Sequence, residues 1–246
     1  MINNSGPYFE NKVFFRKESL HQLNDRLSHY CLFPKQYAKG INRSIYFDSD
    51  DLSDYQDGLN GNRIRRKVRI RQYQLPGDDW GPSLLEVKKK NGQLVSKKKI
   101  SIDDIGKIGP DTLERLSTSI SDVAVLFSQE NICAAEYSPQ LIVDYSRERY
   151  LIPGRSVRLN VDTAIRCAGR WVAGILPVRS QQLLDACIVE LKSTENVGLP
   201  FFLTNLDGKR LAFSKYCFLQ SIFLEESGLN AQVDSSSDSL RLSGWR

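Results

Sequence analysis

The chain has 246 residues, 41% hydrophobic and 26% charged, which suits one globular domain with a substantial core and excludes a span of roughly 18–20 apolar residues across a bilayer, since no such run occurs. Five cysteines with no CxxC spacing and only two histidines, His21 and His29, speak against a disulfide scaffold, a thiolate zinc site and histidine-based chemistry. The formal charge is +5, yet twelve bases and three acids between Arg63 and Lys99 make that window +9 and leave the remainder at −4, so an anionic partner is expected: nucleic acid, a membrane surface or a phosphorylated small molecule.

The opening MINNSGPYFENK has no basic start followed by an apolar stretch, so no secretion signal is expected and the reading is a reduced, cytoplasmic protein. Leu20, Leu23 and Leu27 give Lys17–His29 a helical spacing. Ser44–Asp48 reads as a strand and Asp50–Leu59 as a short helix. Arg63–Tyr73 and Ser83–Lys90 alternate as strands, and Asn91-Gly92 turns the second into a hairpin partner running to Ile100. A mostly helical section is expected from Ser101 to Glu130. Leu141–Leu151 and Ser156–Ile165 are strands joined at Pro153-Gly154, Ile188–Lys192 is another, and Pro200–Leu206 and Ser214–Glu225 are helices. The serine-rich residues from Ser227 to Arg246 are expected to be loose. Hairpins this close predict an antiparallel sheet in an α+β domain over 1–226, followed by that tail.

Strand alternation sorts the charge. Arg65, Lys67, Arg69 and Arg71 share one face, with Ile64, Arg66, Val68 and Ile70 opposite. Glu86, Lys88 and Lys90 share a face, as do Lys97 and Lys99. Arg158, Asn160 and Asp162 alternate with Val157, Leu159 and Val161, and Glu190 and Lys192 with Val189 and Leu191. One such strand merely has a solvated face. Several together place like charges side by side, at about 0.2–1 kcal/mol for each directly opposed pair. A polyanion would neutralise them, and a barrel with its charged faces inward and helices over its apolar outside would concentrate the field. Glu10, Glu86 and Glu190 lie two residues from Lys12, Lys88 and Lys192, and Asp162 four from Arg158. They read either as ion pairs or as oxygen ligands of Mg2+ or Mn2+, which suit phosphoryl transfer. Neither GxxxxGK[ST] nor GxGxxG is present, and HExxH is absent too, so phosphate would be held by side-chain charge.

The ordered set SIYFDSDDLSDYQDGL, RKVRIRQY, LLEVKKK, VSKKK, VDYSRERY, RLNVDT, VELK and FSKY, spread from about Tyr8 to Phe218, resembles the VTC domain. That is the polyphosphate polymerase domain of the vacuolar transporter chaperone family, which has free-standing bacterial members and belongs with the CYTH-like triphosphate tunnel metalloenzymes. The resemblance implies an antiparallel barrel forming a tunnel, and transfer of the ATP γ-phosphate to a polyphosphate chain with Mn2+ or Mg2+. By motif it implies catalytic phosphate contacts from Lys12, Arg69, Arg71, Lys88, Lys97, Tyr145, Arg147, Ser214 and Lys215. Lys67, Lys90, Lys99, Arg158 and Lys192 would line the tunnel as ligand-binding cations. Glu190, with Glu86 beside it, would hold the metal. The eukaryotic polymerases have an arginine in the segment Gly58–Asn60, a lysine where this chain has Ala212 and a histidine near Lys90, so two cations are missing here. Expected partners are a nucleoside triphosphate and polyphosphate, with any membrane protein supplied by another chain. Nucleic acid is not expected, because it needs open basic faces and aromatic platforms. A hydrolase of the same tunnel type and a non-catalytic polyphosphate or nucleotide sensor remain open beside the polymerase.

Overall fold

The structure is a computed structural model that describes residues 3–34, 38–74, 80–102, 106–109, 112, 120–170 and 181–226. Its strands are β1 (Asn3–Arg16), β2 (Lys39–Ser49), β3 (Ile64–Tyr73), β4 (Ser83–Asn91), β5 (Leu94–Ile102), β6 (Tyr137–Leu151), β7 (Val157–Arg170), β8 (Gln181–Leu184), β9 (Ala186–Ser193) and β10 (Gly208–Arg210). Its helices are α1 (Leu20–Tyr30), α2 (Ser53–Leu59), α3 (Ile120–Gln129), α4 (Phe201–Thr204) and α5 (Lys215–Glu226).

Eight strands pair antiparallel in the order β1, β5, β4, β3, β2, β6, β7, β9, and β9 returns to β1, so the sheet closes into a barrel. Closure leaves those eight strands no free edge. β8 and β10 pair onto β7 and β1. The Asn91-Gly92 turn has Gly92 at φ 58, a conformation that glycine adopts without a Cβ penalty, and it sets the β4–β5 register.

The alternation seen in the sequence decides which residues point where. Val68, Ile70, Leu85, Val87 and Ile100 face outward and pack under Leu126 and Phe127 of α3. Val13, Phe15, Leu159, Val161, Val189 and Leu191 face outward and pack under Leu23 and Leu27 of α1 and Phe202 and Leu203 of α4. A third cluster fills one end of the barrel, where Phe14, Tyr46, Val143, Tyr145 and Ile188 meet Tyr216, Cys217 and Leu219 of α5. Apolar residues thus occupy the outside and one inner end, and the rest of the interior is left to charge.

Two expectations need correction. Ser101 and Ile102 complete β5 rather than open a helix; within the section expected to be helical, helix is seen at Thr112 and over α3, with 103–105, 110–111 and 113–119 outside the described residues. The strand β1 interrupts what the sequence leaves unassigned before Lys17. The expected loose tail also lies outside the described residues.

Candidate active site: a basic chamber inside the barrel

The inward faces of β1, β2, β3, β4, β5, β6 and β9, with the start of α5, line one chamber. Its walls carry Lys12, Lys67, Arg69, Arg71, Lys88, Lys97, Arg147, Lys192 and Lys215. Strand register makes the crowding explicit: Lys67 pairs opposite Lys88, and Lys88 opposite Lys97, so three lysines stand in a row across three strands. Such a row is unfavourable on its own.

Four buried carboxylates offset part of this charge. Glu86 accepts from Arg69 Nη2 at 2.6 Å and Lys97 Nζ at 2.6 Å, with Arg71 at 3.9 Å. Glu10 accepts from Lys88 Nζ at 2.8 and 2.9 Å and lies 3.4 Å from Lys12. Arg147 clamps Asp162 through two donors at 2.5 and 2.6 Å and gives a third bond to Glu190 at 2.9 Å. Lys215 reaches Asp162 at 2.5 Å and Glu190 at 3.4 Å, and Lys12 and Lys192 lie 3.5 and 3.7 Å from Glu190. Nine cations against Glu10, Glu86, Asp162 and Glu190 leave five positive charges uncompensated.

Burial and Coulomb attraction compete at these groups. Burial disfavours the ionised forms of Glu10, Glu86 and Glu190, but the surrounding bases outweigh it and hold all three well below the usual carboxylate range. At Lys88, Lys97 and Lys192 burial prevails and pulls the ammonium groups down in spite of their carboxylate neighbours. Lys67 is lowered for the same reason, and its Nζ donates to Ser214 Oγ at 2.5 Å. These lysines have too little negative charge around them, and an anion in the chamber would supply it.

The chamber opens into a wider mouth of about 270 Å3, lined by Arg65, Lys90 and Arg210 together with Lys12, Lys67, Lys88 and Ser214 from the chamber. Gly58, from the segment Gly58–Asn60 in which the resemblance leads one to expect an arginine, and Ala212, where it leads one to expect a lysine, both line this mouth. Gly58 lies in α2, where a Cβ would stand 2.5 Å from Cys217 Sγ. Gly→Ala in a helix ordinarily stabilises by about 0.5–1 kcal/mol. Here we expect Gly58→Ala to destabilise by about 1–2 kcal/mol through overpacking, and added Cys217→Ala to recover most of that. Denaturant midpoints of the single and double variants measure it.

Of the residues singled out in the sequence, Lys12, Lys67, Arg69, Arg71, Lys88, Lys97, Tyr145, Arg147, Glu190, Lys192, Ser214 and Lys215 line the chamber. Glu86 lies behind it, bonded to Arg69 and Lys97. Lys90 stands at the mouth. Lys99 sits opposite Glu86 on the inward face of β5, half-buried, and Arg158 opposite Lys192 on β7, exposed; neither lines the chamber or its mouth. Tyr8, Tyr46 and Tyr73 also line it, and sequence reasoning passes over them because a tyrosine in an alternating strand reads equally well as core. Glu10 and Asp162 show the one available signal, an acid placed near a base on a shared strand face.

Glu10 and Glu190 are the carboxylates of the chamber lining that could face a hard cation. Glu10 and Glu190 both approach Lys12 and Lys192, so their oxygens converge. Among the described residues no group of three or more His, Cys, Asp or Glu could hold a metal ion. Two carboxylates alone leave a hard cation incompletely held; the pair is compatible with a divalent metal shared with a phosphate, since Mg2+ is commonly held by one or two carboxylates plus phosphates. Of the two carboxylates expected for the metal, Glu190 is the better placed: it lines the chamber and its shortest contact to a cation is 2.9 Å, whereas Glu86 lies behind the wall and is bonded to Arg69 and Lys97 at 2.6 Å each.

Among solved structures, the fold is similar to two proteins named as putative cyclases. One, from Bacillus halodurans, is 12% identical, with a TM-score of 0.48 and 98% of each chain covered. The other, from Hippeastrum, is 16% identical, with a TM-score of 0.45 and coverage of 90% of this chain and 88% of that one; it is described as having a dominant triphosphatase activity. No curated protein matches the chain. Among the described residues no helix is long and apolar enough to cross a membrane. The family comparison is decisive, because residues 8–222 match the VTC domain, and that span holds the whole barrel from Tyr8 onward, the chamber and most of α5; the chain belongs to the VTC domain family.

Proposed function

We propose that the chain is an ATP-dependent polyphosphate polymerase that transfers the nucleotide γ-phosphate to a polyphosphate chain inside the basic chamber. The observation that carries this reading is the convergence of nine cations, five more than the acids beside them, on one buried cavity. A triphosphate brings the missing negative charge, and phosphoryl transfer needs little else from a protein than positioning and charge neutralisation. Arg69, held by Glu86, Arg147, held by Asp162, and Arg71, whose Nε donates to Ser44 Oγ at 3.0 Å, orient phosphoryl oxygens. Lys12, Lys88, Lys97 and Lys215 add point charge along the path. Glu190, with Glu10 near it, would hold Mg2+ or Mn2+, which when bound neutralises charge on the transferred phosphoryl group. In the transfer, an oxygen of the chain terminus forms a bond to the γ-phosphorus, the bridge to the β-phosphate breaks, and ADP leaves with that bridging oxygen.

Gly58 and Ala212 at the mouth favour a second reading, a triphosphate or polyphosphate hydrolase, because the nucleotide end loses two cations that the resemblance leads one to expect. The inward direction of Lys67, Arg69, Arg71, Lys88 and Lys97 supports a phosphate ligand inside the barrel rather than nucleic acid on an exposed basic sheet. Incubation with ATP and Mn2+ separates the two: long acid-labile chains support the polymerase, and free phosphate alone defeats it in favour of the hydrolase. Nucleotide binding with no turnover defeats both and makes the chain a sensor.

A further inference from the structure

Tyr46 of β2 is placed by the fold in the middle of the cations, and neither the family motifs nor the ion-pair network assigns it a role. Its side chain is almost wholly buried and lines the chamber. Its ring is fixed by stacking on Tyr216 of α5, with centroids 5.2 Å apart and planes 13° from parallel. Its oxygen accepts from Arg69 Nη1 at 3.1 Å. Among the described residues, nothing accepts the proton of that hydroxyl. The groups facing it explain why. Lys12 comes from β1, Lys67, Arg69 and Arg71 from β3, and Lys215 and Tyr216 from α5, with Tyr145 of β6 in the same cluster. Every charged group among them is a donor. The acids of the chamber and its wall, Glu10, Glu86, Asp162 and Glu190, are paired with cations instead.

A buried O–H with no acceptor, ringed by cations, lacks an anionic oxygen. We propose that Tyr46 is a further substrate-contacting residue, whose neutral hydroxyl donates a hydrogen bond to a phosphate oxygen held in the chamber. This rests on the chamber being the triphosphate site, whichever reaction follows. The same cations that attract the phosphate favour the phenolate when the chamber lacks it. Burial raises the Tyr46 pKa, but Arg69, Arg71 and Lys215 more than reverse this and bring it to about 8. The sign follows. Below that value the hydroxyl donates; above it the phenolate has no proton to give and repels phosphate, so affinity falls as pH rises. Bound phosphate in turn raises the pKa, by linkage.

The test is a pH titration of tyrosinate absorbance in the near ultraviolet, with wild type and Tyr46→Phe, each alone and with inorganic tripolyphosphate. The buried lysines also lose charge in the alkaline range, so a tyrosine-specific signal is needed. Of the ten tyrosines, Tyr73 is also lowered, by Arg71 against burial, and serves as internal reference. The expected result is an early step near pH 8 in wild type, absent in Tyr46→Phe and moved upward by tripolyphosphate. Tripolyphosphate should bind Tyr46→Phe about tenfold more weakly at neutral pH, the loss of one hydrogen bond to a charged group. Phe keeps the ring that stacks on Tyr216, and thermal unfolding checks that the fold is kept. An early step that survives in Tyr46→Phe, or equal affinity of the two proteins, overturns the proposal. Wild type that keeps the early step but binds no tripolyphosphate overturns the chamber as a triphosphate site, and this role with it.

Discussion

Glu190→Gln should lower metal-dependent turnover of ATP by at least about a hundredfold, while tripolyphosphate binds more tightly than to wild type. The two effects have one cause. Glu190 sits among Lys12, Arg147, Lys192 and Lys215, at 2.9–3.7 Å. Removing its charge would take away the proposed metal ligand and at the same time release cations toward an anion. A purely structural glutamate would show neither the gain in binding nor the selective loss of turnover. Steady-state rates with Mn2+, set beside calorimetric binding of tripolyphosphate without metal, read both effects. Unchanged turnover would remove Glu190 from the chemistry.

The largest expected effect on stability is at Arg147. Its guanidinium holds Asp162, whose side chain is fully buried, through two short bonds. Arg147→Met leaves that carboxylate with Lys215 as its remaining bonded partner. Breaking a buried pair on one side costs about 3–5 kcal/mol, and the surviving lysine points to the lower end. For a chain of this size about 3 kcal/mol corresponds to a fall in Tm of roughly 6–12 °C. Adding Asp162→Asn removes the uncompensated charge, so the double variant should regain part of the loss while remaining inactive. Thermal unfolding of the single and double variants against wild type decides the matter. A single variant as stable as wild type would mean that Arg147 is held elsewhere.

The charged interior could be read from the sequence because apolar and charged residues alternate along most of β3, β4, β5, β7 and β9, with Arg66, Lys89 and Lys98 as the exceptions, and alternation tells two faces apart. Closure of the barrel was harder to read. It depends on β1, where Gly6-Pro7 interrupts the pattern and Val13-Phe14-Phe15 is continuously apolar. Val13 and Phe15 pack outward under α1, whereas Phe14 faces the apolar inner end, so both faces are buried and the period of two disappears. β8 and β10, of four and three residues, are too short to show any period. Charge alone also over-assigns the wall. Arg158 shares its face with Asn160 and Asp162 but emerges exposed at the end of β7, since a strand face continues past the rim of the barrel. Tyr46 shows the reverse case: its position in SIYFD reads as core, and only the tertiary ring of cations reveals its hydroxyl.

The central claim is that the inward cations form one site for a chain of phosphates. A crystal structure of the protein with tripolyphosphate and Mn2+ tests it most directly. The account predicts phosphate density inside the barrel, within hydrogen-bonding distance of Arg69, Arg71, Lys88, Arg147 and Lys215, with the metal between it and Glu190. Density confined to the outer surface, with the chamber bases still paired only to their carboxylates, would contradict it.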